Sequence, residues 1–220
     1  MPRDKSQSHA RVLEAAKAEF LEKGFEKASI RDIGKRAGMT SAGLYRHCKD
    51  KEDLFRQVLE PLLQEMSVMM KEHRNNANKA VESGIGIQDS FYTGEIQIFR
   101  ELSKAYRPEM KLLICKAEGT EYENFIHKTV LVQQKEMLQV IDTLKRRGVP
   151  VKPVTEKDMH ILLSAYLTAL IEPIVHDYSE EETDVCLNKI SDFFMPGWMN
   201  ILGLTEYVTD CDKWGCKISP

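Results

Sequence analysis

The chain has 220 residues, 42% apolar and 30% charged, ordinary values for a globular protein with a real core, and they exclude a disordered or fibrous chain. Its net charge is −3, so overall basicity does not mark a nucleic-acid binder and only the distribution of charge bears on partners. Residues 1–60 hold 13 Lys and Arg against 10 Asp and Glu, which makes that end +3 and the remainder −6.

The start, MPRDKSQSH, carries no apolar core and is expected not to be a signal peptide. No apolar run approaches the ~20 residues of a spanning helix, so a cytoplasmic chain with no membrane partner is expected. Five scattered cysteines, Cys48, Cys115, Cys186, Cys211 and Cys216, argue against a disulfide framework and mostly for small core hydrophobes.

Every long periodic stretch reads at helical spacing, and Val149 to Val154 is too short and proline-broken to seed a sheet. A first helix is predicted after Ser8, with Val12, Leu13, Ala16 and Phe20 on one face and Gly24 as its stop. Ser29 and Asp32 resemble a capping box opening a second helix with Ile30, Ile33 and Ala37 inward and Gly38 as its end. Thr40 caps a short third helix through His47 with Leu44 and Cys48 inward. Asp50 with Asp53 caps a long fourth one carrying Phe55, Leu59, Leu62, Met66 and Met69, with a bend expected at Pro61.

Residues 75–88 read as the end of that helix and a loop. A helix follows from about Asp89 to Tyr106, then a short one opened by Pro108, then a long one after Thr120 that closes at Lys145-Arg146-Arg147-Gly148. Thr155-x-x-Asp158 and Ser179-x-x-Glu182 are capping boxes for two final helices, about 156–176 and 180–202. Their apolar stripes are Met159, Leu163, Tyr166, Leu170 and Val185, Ile190, Phe193, Phe194, with Pro173 and Pro196 expected to kink or end them. The expected architecture is all-α, about nine helices.

Two short helices, Ser29 to Ala37 and Thr40 to His47, joined by a turn at Gly38, fit a helix-turn-helix. Gly38 is where a positive φ is expected, and Ala37 and Gly43 are small where the helices approach. Such a unit projects the amino end of its second helix into a major groove.

The run GFEKASIRDIGKRAGMTSAGLYRHCKDKEDLF, residues 24–55, closely resembles the TetR family of transcriptional regulators, and the resemblance extends from about Ser8 to about Leu59. Its marks are Gly24-Phe25, Ser29, Ile30 and Ile33, Ala37-Gly38, Thr40, Leu44-Tyr45 and Lys51-Glu52. Gly34 and Cys48 depart from it, standing at core positions where the family usually has Ala and Phe. The resemblance implies a three-helix DNA-binding domain over 1–55, with helix 4 from 51 linking it to a helical ligand-binding and dimerisation domain over 56–204, and a tail over 205–220. It implies a ligand-responsive regulator, acting as a repressor, that binds a palindromic double-stranded operator as a homodimer and is released by a small-molecule effector.

On that reading Ser29, Arg31, Thr40, Tyr45, His47 and Lys51 are candidates for the phosphate backbone, with Lys51 placed at the start of helix 4 where backbone N–H groups also favour an anion. Ser41, Ala42, Gly43 and Arg46 are candidates for base edges. For Tyr45 the competing role is packing, and for Arg46 an ion pair with a neighbour. One such helix reads only a few base pairs, so a dimer is expected, and by the family's layout the last two long helices form its surface. Met66, Met69, Met70, Phe91, Phe99, Tyr106, Tyr122 and Phe125 are candidate pocket residues, since Met and aromatic side chains line adaptable apolar sites, although core packing is the commoner role of each.

The rival class is a helical enzyme. The six histidines show no metal-binding pairing, no nucleophile elbow is present, and Gly84-Ile85-Gly86 lacks the third glycine and the preceding strand of a dinucleotide site. No catalytic residues, metal or cofactor are therefore assigned.

Overall fold

A computed structural model describes residues 5–83 and 94–205. Phe91, Gly84-Ile85-Gly86, Cys211 and Cys216 lie outside the described residues, as does most of the predicted tail. Among the described residues the chain is helical throughout: α1 (Lys5–Lys27), α2 (Ile30–Arg36), α3 (Ser41–Leu44), α4 (Lys51–Ser83), α5 (Gly94–Ala105), α6 (Arg107–Cys115), α7 (Phe125–Arg146), α8 (Glu156–Val175) and α9 (Glu180–Leu202). The chain folds as two compact units. The first takes the described residues up to Met66 together with Leu102–Phe125, and the second takes those of Ser67–Glu101 and from Ile126 onward.

Local chemistry sets the boundaries. Gly24 sits at φ 76 and breaks the regular helix one turn before α1 ends. Thr155 and Ser179 make the reciprocal side-chain and backbone bonds of full capping boxes at α8 and α9. At α2 only half of the expected box forms: Ser29 Oγ accepts from the Asp32 N–H, while the Asp32 carboxylate takes Lys23 Nζ at 3.2 Å. The predicted third helix is shorter than read, since α3 ends at Leu44 and single turns carry the chain on, with the Arg46 and His47 N–H groups donating to Gly43 and Leu44. Pro61, Pro173 and Pro196 all lie inside helices that continue past them. None of the three ends its helix as a proline commonly does.

The first unit is built on the predicted stripes. Val12, Ala16, Phe20, Ile33, Leu44, Leu54, Phe55 and Leu59 are fully buried, and Phe20, Phe25 and Phe55 pack ring against ring with centroids 5.0 to 6.0 Å apart. Met110, Leu112 and Leu113 of α6 join this core, a partner that local sequence could not reveal. In the second unit Met159, Leu163, Tyr166 and Leu170 meet Val130, Met137, Ile141, Leu187, Ile190 and Trp198. Val185 and Phe193, predicted on the inward stripe of α9, are instead exposed, Phe193 at 75%. The buried face of α9 is Thr183, Leu187, Ile190 and Trp198, so Val185 and Phe193 lie off that stripe and point to solvent.

Among the described residues α8 is long and apolar enough by composition to cross a membrane, although no continuous apolar run had marked it. Met159, Leu163, Tyr166, Leu167 and Leu170 give it instead a fully occupied core face. Of the cysteines described, Cys48 is buried but Cys115 is exposed and Cys186 half-buried, so only the first is a core hydrophobe.

Candidate nucleic-acid interface

The helix-turn-helix is held from behind by an ion network. Glu19 of α1, 1% exposed, pairs with Lys23 at 2.6 Å and with Arg36 Nε of α2 at 3.0 Å, and Arg36 also meets Glu22. Lys23 extends the network to Asp32, whose carboxyl is held below its ordinary value by Ser29 and by that lysine. These contacts fix the angle of α2 on α1, and sequence reasoning missed them because the partners are up to 17 residues apart.

The turn follows from glycine. Gly38 takes φ 68 as expected, and the Met39 N–H donates back to the Gly34 carbonyl at 2.9 Å. A Cβ on Gly34 would lie 3.1 Å from the Met39 carbonyl oxygen, so the departure from Ala at this position suits a turn drawn tightly against α2. Cys48, the other departure, fills a buried position with its sulfur 3.8 Å from the Leu44 carbonyl. Burial, with Asp53 and Asp50 nearby, pushes its thiol up to about 11, which leaves it protonated and inert.

Thr40 Oγ1 accepts from the Gly43 N–H at 3.1 Å, which starts α3 and leaves the hydroxyl hydrogen free to donate outward. Ser29 Oγ likewise accepts from the Asp32 N–H at α2, but its hydroxyl also serves the Asp32 carboxylate. Beyond Thr40, Ala42, Tyr45 and Arg46 are exposed, Ser41 and Gly43 half-buried, and Leu44 turns inward to anchor the segment. Tyr45 is 54% exposed, so its ring is not committed to packing. Arg31 is also exposed, and neither it nor Arg46 has an ion pair among the described residues. His47 is partly occupied: its Nε2 lies 3.3 Å from Ser8 Oγ, its ring stacks on His9, and burial followed by the nearby His9 and Arg46 lowers its pKa.

Lys51 differs from the expectation drawn for it. Its ammonium donates to the carbonyls of Phe25 at 2.8 Å, Glu26 at 3.1 Å and Ala28 at 3.2 Å, and sits 4.3 Å from the Phe25 ring centroid. Those carbonyls belong to the last turn of α1 and the residue just after it, so Lys51 closes that end and ties α4 to it. All three donors are used. At the start of α4, Asp50 accepts from the Asp53 N–H at 2.7 Å and Asp53 accepts from Lys49 N–H at 2.9 Å, the cap that the sequence predicts.

The candidate pocket residues are not gathered in one unit. Met66, Tyr106, Tyr122 and Phe125 belong to the first, where Tyr122 packs near Phe55, whereas Met69, Met70 and Phe99 belong to the second. No group of three His, Cys, Asp or Glu is placed to hold a metal among the described residues.

Comparison with known proteins agrees with this geometry. The profile of the family described as bacterial regulatory proteins, tetR family, matches residues 12–58. An uncharacterised HTH-type transcriptional regulator of Bacillus subtilis, YfiR, is 36% identical over 61 residues, which is 28% of this chain and 30% of that protein. Among solved structures, MexZ, a repressor of Pseudomonas aeruginosa, aligns over 90% of this chain and 96% of its own at 19% identity with a TM-score of 0.62. FadR of Bacillus subtilis, solved with stearoyl-CoA, aligns over 86% and 98% at 13% identity with a TM-score of 0.56. The matched segment falls on the helix-turn-helix, and the fold is shared with both solved structures along most of the chain.

Proposed function

We propose that the chain is a ligand-responsive repressor that binds a palindromic operator as a homodimer and leaves it when a small molecule occupies the second unit. The observation that carries this reading is the outward face of the helix-turn-helix: a Thr40 hydroxyl with a hydrogen to spare, exposed Ala42, Tyr45 and Arg46 on and just beyond α3, and exposed Arg31 on α2. Ser29, Arg31, Thr40, Tyr45 and His47 suit phosphates, whereas Ser41, Ala42, Gly43 and Arg46 suit base edges. Lys51 enters this set by positioning, since its ammonium already serves three carbonyls.

Dimerisation through α8 and α9 accounts for apolar side chains that one subunit leaves in water: Ile161, Val185, Phe193 and Ile201 are all exposed. The effector acts through α4, one unbroken helix that contributes its amino half to the first unit and its remainder to the second. It works only if it binds the DNA-incompetent state more tightly. The FadR neighbour was solved with an acyl-CoA, an instance of a small ligand on this fold.

Selection of bound duplexes from a random pool tests the proposal. An inverted repeat, lost on Tyr45→Ala or Arg46→Ala in a protein that remains folded, is the expected result. Binding with no preference over bulk competitor at moderate salt would overturn it.

A further inference from the structure

Two histidines from distant parts of the first unit face each other at the edge of the helix-turn-helix. The His9 ring of α1 lies on the ring of His47, just beyond α3, with centroids 5.6 Å apart and planes 27° from parallel. His47 Nε2 stands 3.3 Å from the hydroxyl of Ser8, the residue before His9 on α1. Both histidines are half-buried, so part of each remains at the surface, and Tyr45 and Arg46 next to His47 are exposed.

The pair is arranged to attract an anion and to hold a proton poorly without one. Burial lowers the pKa of His47, and the positive charges of His9 and Arg46 lower it further. Among the described residues neither ring has a carboxylate partner. On the α4 side, Gln57 donates to the His47 carbonyl at 3.2 Å and to Asp53 Oδ2 at 2.9 Å. Asp53 also accepts from the Lys49 N–H at 2.9 Å and from Arg56 at 2.5 Å, so that carboxylate is already supplied with donors. The neighbouring Cys48 is a neutral thiol. Ser8 does not oppose a charge on His47, because its hydroxyl donates to a neutral Nε2 and accepts from a protonated one. Two imidazoles and a guanidinium thus meet with no counter-charge on either ring.

We propose that His9 and His47 together clamp a backbone phosphate of operator DNA, and that the pair takes up a proton from solvent as the phosphate arrives. The inference rests on the reading of the helix-turn-helix as the DNA-binding face. The phosphate supplies the negative charge that the pair lacks, and a ring N–H donates to its oxygen in a charge-assisted bond. Rings 5.6 Å apart repel when both are charged, so the pair carries a single proton between them. The complex then holds a proton that the free protein releases. Affinity is therefore highest below the titration of the free pair and falls as pH rises through that of the complex. His9, which lies outside the helix-turn-helix, joins the interface through the stack.

The test is titration of the selected operator duplex with the whole protein across pH and salt. Affinity should fall at least about tenfold from about pH 6 to about pH 8, and stay level within about twofold in a folded double variant, His9→Gln with His47→Gln. The slope of log affinity against log salt should be steeper at the lower pH by about 0.9 for each phosphate clamped, a change that a purely structural role of the rings does not produce. A wild-type affinity independent of pH overturns the proposal, and so does a pH dependence that persists in the double variant. Histidine ring spectra locate the proton. The titration seen at both rings should move up by about one pH unit in the complex, a tenfold gain in proton affinity, and a His9 ring that ignores the DNA overturns the pairing. Inorganic phosphate alone should leave both rings where they are; an equal shift with it would mark a free-anion site and sink the assignment to DNA. Binding of a preferred duplex without pH dependence counts against the clamp alone, whereas finding no preferred duplex counts against the DNA reading itself.

Discussion

Replacing Lys51 with Met removes the ammonium and keeps the alkyl stem over Phe25. Three carbonyl bonds of 2.8 to 3.2 Å are lost together with a cation–π contact at 4.3 Å. A bond to a charged group contributes about 1.5–3 kcal/mol, but three bonds to one ammonium are not additive and water can solvate the exposed Glu26 carbonyl. The ring contact adds about 0.5–1 kcal/mol. The expected destabilisation is therefore about 2–4 kcal/mol, read as a lower urea midpoint at unchanged slope. A lysine on a phosphate behaves differently, since its removal lowers the dependence of log affinity on log salt by about 0.9 and leaves stability within about 0.5 kcal/mol. Urea unfolding and operator titration at four salt concentrations measure both quantities on one variant. A near-native midpoint combined with a slope reduced by close to one would refute the assignment of Lys51 to the end of α1.

Glu95 predicts an unusual pH dependence of stability in the free protein. Its folded pKa of about 8 lies above the ordinary 4.5, so between those values the folded state keeps a proton that the unfolded chain releases, and stability falls as pH rises through that window. The loss is of the order of 3–5 kcal/mol from pH 4.5 to 8, and Glu95→Gln should remove most of it; parallel wild-type and variant curves would contradict the burial of this carboxyl. Glu19→Ala strips Lys23 and Arg36 of a buried partner, but both cations retain access to water, so about 2–3 kcal/mol is expected in thermal or chemical unfolding. Phe193→Glu places a charge where α9 exposes its largest apolar side chain. Sedimentation should then show monomers and operator affinity should fall steeply, whereas an undisturbed dimer would exclude α9 from the interface. Gly38→Ala meets open space but must hold φ 68, so a loss of about 1 kcal/mol is expected, and a gain in midpoint would show that the turn adopts another conformation.

Much of the chain was readable because its signals are local. Thr40 caps α3 and Thr155 caps α8 through atoms three residues away, Gly38 turns the backbone by its own freedom, and the stripe from Phe55 to Leu62 needs only a helical period. These same short-range features place Thr40, Tyr45 and Arg46 on an exposed face, which is why the candidate DNA-reading segment is legible in the sequence.

What tertiary structure alone decided are the features that depend on distant partners. Lys51 has the same composition and spacing whether its ammonium faces a phosphate or three carbonyls 23 to 26 residues back, and only packing of α4 on α1 chose the latter. The stripe of α9 was read with Phe193 inward because a period of 3.6 tolerates neighbouring registers, and contact with α8 selected Leu187, Ile190 and Trp198 instead. Glu95 and Gln133 are 38 residues apart, and each alone looks like a surface residue. Their shared burial is a property of the assembled helices, because the cost of removing a charge from water is set by everything that surrounds it and not by its neighbours in sequence.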